Sequence, residues 1–128
     1  MIRLLWRVFP IFILLYTLRG TAAEYGKYFT MAKQASQYAM TYMNLSQYVA
    51  LLQTYYTEHG NPPPDLSSFL RSNFNIKGHD PSLDYWDNPY QLIETENQFS
   101  LTSCGADKRC PTEDDLSQSA SKKNLALP

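Results

Sequence analysis

Apolar and aromatic residues recur at three- and four-residue steps between Glu24 and His59. Tyr25, Tyr28, Ala32, Ala35, Ala39, Tyr42, Leu45, Val49, Leu52 and Tyr56 fall along one stripe of a helix. No proline interrupts this segment. At a rise of ~1.5 Å per residue it extends about 54 Å, longer than a small domain can cover. The second half, with Leu45, Val49, Leu52 and Tyr56, is expected to pack on a sheet. The first half, with Tyr25, Tyr28, Phe29, Met31 and Tyr38, is expected to project or to meet a partner. Plain core packing and a docking face for another helix are both open readings of its aromatic residues. Gly60 suits a left-handed C-terminal cap, and Pro62-Pro63-Pro64 prevents continuation. Asp65 then caps a short helix through about Ser72, with Leu66, Phe69 and Leu70 facing inward.

Further on the period changes from three or four to two. Asp87-Asn88-Pro89 is turn chemistry, because Asx side chains bond their own backbone and Pro89 restrains Asn88 to extended geometry. Beyond it Tyr90, Leu92 and Glu94 alternate with Gln91, Ile93 and Thr95. Phe99, Leu101 and Ser103 alternate in the same way with Ser100 and Thr102. These are two strands of a hairpin connected through Glu96-Asn97-Gln98. After Leu116 no period is evident, and residues 117–128 are expected to form a flexible tail. The elements predict an α+β fold, one long helix packed on a small antiparallel sheet, with an acidic C-terminal loop.

The first 23 residues have the layout of an export signal. Arg3 and Arg7 lead, Val8 to Leu18 is almost wholly apolar, and Thr21-Ala22-Ala23 offers small residues for cleavage. The domain is therefore expected to span residues 24–116. The competing reading is an uncleaved membrane anchor from about Ile2 to Leu18. In a chain of 128 residues, 11 basic against 12 acidic side chains give no electrostatic reason to expect a nucleic-acid partner. Cys104 and Cys110 are too few to form a structural zinc site, which usually takes about four ligands. In an oxidising compartment they would pair with each other.

The run Asp84-Tyr85-Trp86-Asp87-Asn88-Pro89-Tyr90, the strand after it, Phe99-Ser100-Leu101-Thr102-Ser103-Cys104-Gly105-Ala106-Asp107 and the acidic Glu113-Asp114-Asp115-Leu116 together carry a resemblance. In order and spacing they resemble the C-terminal half of the major pseudopilin of type II secretion, general secretory pathway protein G, over roughly residues 40–116. The resemblance implies a pilin-like fold and a structural role in a type II secretion or type IV pilus-like apparatus of a Gram-negative envelope. Its partners would be other proteins of that apparatus, and its location the periplasm, the exterior or, if anchored, the inner membrane. The leader departs from the family. There a short basic leader and processing site precede the apolar helix, whereas here the apolar run precedes the small residues. That order implies the globular fold without the polymerising stem.

In the pseudopilins the acidic loop binds calcium. Carried over by position, the ligands here would be the Cys104 carbonyl, Asp107, Asp114 and Asp115. Calcium takes about six to eight oxygens, so a short loop rich in acids is a feasible cage. The residues themselves leave three readings open: a calcium site, a loop closed by a Cys104–Cys110 disulfide alone, or a solvated acidic loop. No catalytic residue is assigned, since neither His59 nor His79 lies in a motif with a nucleophile and no phosphate-binding glycine loop is present. The expected function is non-enzymatic, with a secreted pilin-fold binding or adhesion module as the alternative.

Overall fold

A computed structural model describes the backbone of residues 2–123, with side chains from residue 7 onward. Helix α1 runs Ile2–His59 and α2 runs Leu66–Asn73. Strands β1, Gln91–Glu94, β2, Gln98–Ser103, and β3, Leu116–Ser121, form one antiparallel sheet in the order β1-β2-β3. The fold is α+β, as the change of period implies.

The chain divides into two units, Met1–Ser36 and Gln37–Pro128. In the first, every described side chain is exposed, including Phe12, Tyr16, Tyr25 and Phe29. Helix α1 does not start at Glu24 as expected, because that boundary rested on a cleavage pattern and nothing in the residues breaks the helix there. Gly20 and Gly26 are accommodated within it, as is Pro10. The export-signal expectation over residues 1–23 lies partly outside the described residues. Among the described residues no helix is long and apolar enough to cross a membrane.

In the second unit, Leu45, Tyr48, Val49, Leu52 and Tyr56 of α1 are buried together with Leu70 of α2, Tyr90, and Phe99 and Leu101 of β2. Each fully buried side chain of this size contributes about 1.5–3 kcal/mol over exposure. The buried stripe enters the core one residue earlier than the expected one. Thr41 is buried, while Tyr42 is 56 % exposed and Ala39 is also exposed. Steps of three and four both lead to Leu45, and Thr41 takes the inner place because its hydroxyl accepts the Tyr85 N–H at 3.3 Å.

The helix ends as the residues dictate. Gly60 has φ 73° and donates its N–H to the Tyr56 carbonyl at 2.8 Å, a left-handed cap. Asp65 caps α2 by accepting from the Ser67 N–H and the Ser68 hydroxyl. The hairpin pairs Leu92 with Leu101 and Glu94 with Phe99, and Thr95 N–H closes the turn on the Gln98 carbonyl at 2.8 Å. Ile93 faces outward.

The expected tail is corrected. Residues 116–121 form β3, with Leu116 opposite Ser103 and Ala120 opposite Phe99. The strand is rich in serine and so carries a faint hydrophobic pattern, yet Leu116 and Ala120 meet the core and Gln118 reaches α1 through Ser46 at 2.8 Å. Residues 124–128 of that expectation lie outside the described residues.

Candidate functional site

The acidic loop is built on a turn. Between Leu83 and Pro89, which pair as a bridge, the Asp84 N–H donates to the Asn88 carbonyl at 2.8 Å. Asp87 takes φ 65°, a left-handed conformation that aspartate tolerates better than most residues. The Asp84 side chain is 0 % exposed. One of its oxygens accepts the Trp86 N–H at 2.9 Å and the Asn88 N–H at 2.8 Å. The other accepts the Asn88 amide at 3.0 Å and the Ser103 hydroxyl. Four donors thus converge on one buried carboxylate, the arrangement that makes its burial tolerable.

From this node the network passes into the loop. The Asn88 amide also donates to the Gly105 carbonyl at 2.9 Å, and the Gly105 N–H donates to the Ser103 hydroxyl at 3.3 Å. Gly105 has φ 70°, and a Cβ there would stand 2.6 Å from the Asp114 carbonyl oxygen and 2.8 Å from its carboxylate. Left-handed backbone and close approach together require glycine.

Cys104 and Cys110 are joined as a disulfide, with Cα atoms 5.0 Å apart. Within that ring Asp107 accepts the Arg109 N–H at 2.8 Å and donates its own N–H to Asp114 Oδ2 at 3.1 Å. Thr112 lies between the other two acids, its hydroxyl 2.6 Å from Asp114 Oδ1 and 3.1 Å from Asp115 Oδ1, and its N–H donates to Asp115 Oδ2 at 3.1 Å. The Thr112 hydroxyl first, and then the Asp107 N–H, hold the Asp114 carboxyl below its ordinary range. One oxygen from each of Asp107, Asp114 and Asp115 lies within 4.8 Å of the others.

Such a trio of carboxylates could hold a hard cation that prefers oxygen, though exposed acidic clusters are also common without one. Glu113 is not in the trio. Of the expected ligand set, three acids are brought together, and Cys104 stands at the mouth of the loop, buried and bonded to Cys110.

Comparisons with family models, curated proteins and solved structures find no match.

The expected contact residues separate into two groups. Tyr25, Tyr28, Phe29 and Met31 are 72, 68, 74 and 65 % exposed. Tyr38 is not part of an open face: it is half-buried and meets Trp86 edge-to-face at 4.8 Å, next to Gln37, whose amide donates to the Tyr85 carbonyl at 2.8 Å. Its ring belongs to the packing of α1 on the turn, a partner that lies 48 residues away in sequence and leaves no periodic trace. His59 stacks on Tyr55 and His79 on Tyr85.

In the sequence Asn88 reads as a turn residue, Ser103 as a strand position and Asp84 only as part of the family pattern, and the buried network that joins the three is not evident there. The available signal was the spacing of two Asx residues around an aromatic in a turn, which marks side chains that bond backbone locally.

Proposed function

We propose that this chain is a non-enzymatic, pseudopilin-like structural or accessory component of a type II secretion or type IV pilus-like apparatus in a Gram-negative envelope. It acts through protein contacts made by the first part of α1. The observation that carries this reading is the run of large apolar side chains left open there, Tyr25, Tyr28, Phe29 and Met31 among them. Large exposed aromatic and methionine side chains are the kind that association buries with profit. The helix laid on an antiparallel sheet, the D-x-W-x-N-P-Y turn and the acidic loop support the pilin-like comparison.

Calcium belongs to this proposal as the ion that Asp107, Asp114 and Asp115 would hold. Bound there, it would offset the repulsion of three carboxylates and tie the β2–β3 connection together. The Asp107 and Thr112 N–H groups already hold the Asp114 and Asp115 carboxylates in place.

The test is photo-crosslinking of the full chain, exported in a host that assembles a type II secretion apparatus. A crosslinking residue at Tyr28 or Phe29 is expected to form adducts with pseudopilins of that apparatus, and one at the exposed Arg71 is not. Absence of adducts from every one of positions 25, 28, 29 and 31 would end the assembly reading.

A further inference from the structure

The disulfide lies at the joint between two strands of unequal security. Cys104 follows the last residue of β2, Cys110 lies six residues on, and β3 begins at Leu116. Strand β2 is locked into the core by Phe99 and Leu101, both buried against α1. Strand β3 adds only the partly buried Leu116 and Ala120, and reaches α1 through two polar contacts, Gln118 to Ser46 at 2.8 Å and Gln53 to the Ser121 carbonyl at 3.2 Å. The start of the loop is held independently of the disulfide, because Asn88 grips the Gly105 carbonyl. What the covalent bond restrains is the chain beyond Gly105.

That chain gathers like charges, which hydrogen bonds from Thr112 and the Asp107 N–H hold in place. Asp107, Asp114 and Asp115 are held with oxygens within 4.8 Å of one another, and like charges at that range repel. Arg71–Asp80 and Lys122–Glu94 are the salt bridges among the described residues, and neither relieves the trio.

We propose that the Cys104–Cys110 bond is a thiol-operated latch on strand β3: its reduction frees the loop and β3 while the helix–hairpin core stays folded. The co-reactant is an external dithiol. Its thiolate attacks Sγ of Cys110, which is half-buried where Cys104 is 5 % exposed. The S–S bond breaks, and Cys104 leaves as a thiolate that takes a proton from solvent. The second thiol of the reductant then displaces the Cys110 sulfur, which is protonated in turn, and the dithiol departs as its own disulfide. Two electrons pass to the cystine. With the ring open, the carboxylates separate, and β3 loses the short tether that kept it in register. The backbone edge of β2 is uncovered, a row of unpaired donors and acceptors open to another strand. This inference stands on the sheet, the bond and the acidic trio and does not depend on the secretion reading.

The experiment is amide hydrogen exchange on the full chain, oxidised and after treatment with dithiothreitol under native conditions, with free thiols counted by alkylation and mass. Exchange in residues 116–121 is expected to quicken about 10- to 100-fold, the range that losing a short-loop cross-link allows. Amides of residues 45–56 are expected to change by less than about twofold. Cys110→Ser without reductant should reproduce the pattern. A bond that resists the dithiol in the folded chain overturns the proposal, as do unchanged exchange in β3 after reduction and equal acceleration throughout the domain.

Discussion

Residues 7–36 and residues 37–123 draw on similar side chains and put them to opposite use. Both carry leucine, tyrosine and phenylalanine, yet Phe12 is 69 % exposed and Leu52 is 0 % exposed on the same helix. The difference is not hydrophobicity but company. From Thr41 onward the helix has a sheet, a turn and α2 against it, and the apolar residues on that side become core. Before Gln37 no described side chain is buried. Stability therefore resides in the second region, and the first holds a reserve of unburied apolar surface, the surface through which the proposed association would act.

The contrast is broken most severely at Asp84. Replacing it with alanine leaves the Trp86 and Asn88 N–H groups, the Asn88 amide and the Ser103 hydroxyl facing a space with no acceptor. Buried groups stripped of a carboxylate partner cost several kcal/mol together, and Asp84→Ala is expected to lower unfolding free energy by about 3–5 kcal/mol in urea titration. A loss below about 1 kcal/mol would mean that the turn is held by its backbone bonds alone.

A paired truncation sharpens the comparison. Leu52→Ala empties fully buried volume and is expected to cost about 2–5 kcal/mol. Phe29→Ala removes a larger side chain that is 74 % exposed and is expected to stay within about 0.5 kcal/mol. Equal losses in the two variants, read in the same urea titration, would show that residues 7–36 are buried in the working protein and that the two regions do not divide the labour as described.

What was legible in the residues follows the same division. The helix from Leu45 to Tyr56, its Gly60 cap, the Asp65 cap of α2 and the 90–103 hairpin are written in local periods and local turn chemistry, and these stand. Strand β3 was missed because serine-rich segments owe their strandedness to a neighbour. Its ladder with β2 supplies hydrogen bonds that no pattern in Leu116–Ser121 announces. Tyr38 was misplaced, and Thr41 was passed over in favour of Tyr42, for a related reason: each is turned toward the 85–86 turn by a contact across more than 40 positions. For the loop, the acids and the cysteines were evident as types, whereas the buried carboxylate that anchors them needed coordinates to be recognised.

The smallest expected effect lies at the far rim of the sheet, where α1 is joined to both edge strands. The Tyr56 hydroxyl donates to Glu94 at the end of β1, and Lys122, just past β3, approaches Glu94 at 3.3 Å. The Tyr56 bond first, and the lysine after it, hold the Glu94 carboxyl below its ordinary range. A carboxylate with a depressed folded-state value gives stability that is fully present above the unfolded value, about 4.5, and is lost as pH falls through the lower folded value. The loss is small because the site is open to solvent. Tyrosine supplies the opposite limb. Burial pushes the Tyr48 hydroxyl up to about 12 and raises those of Tyr56 and Tyr90 as well, so their contribution is whole below pH 10 and falls as the pH climbs from there through the raised values. Tyr56→Phe separates the limbs within one residue, since it removes the leading cause at Glu94 and one of the three alkaline groups. In urea titrations from pH 3 to pH 11 the variant is expected to lose less stability than the parent on acidification below about pH 4.5 and again above pH 10. Unchanged slopes at both ends would show that the rim contact between helix and sheet is idle, and that the core alone separates the ordered region from the open one.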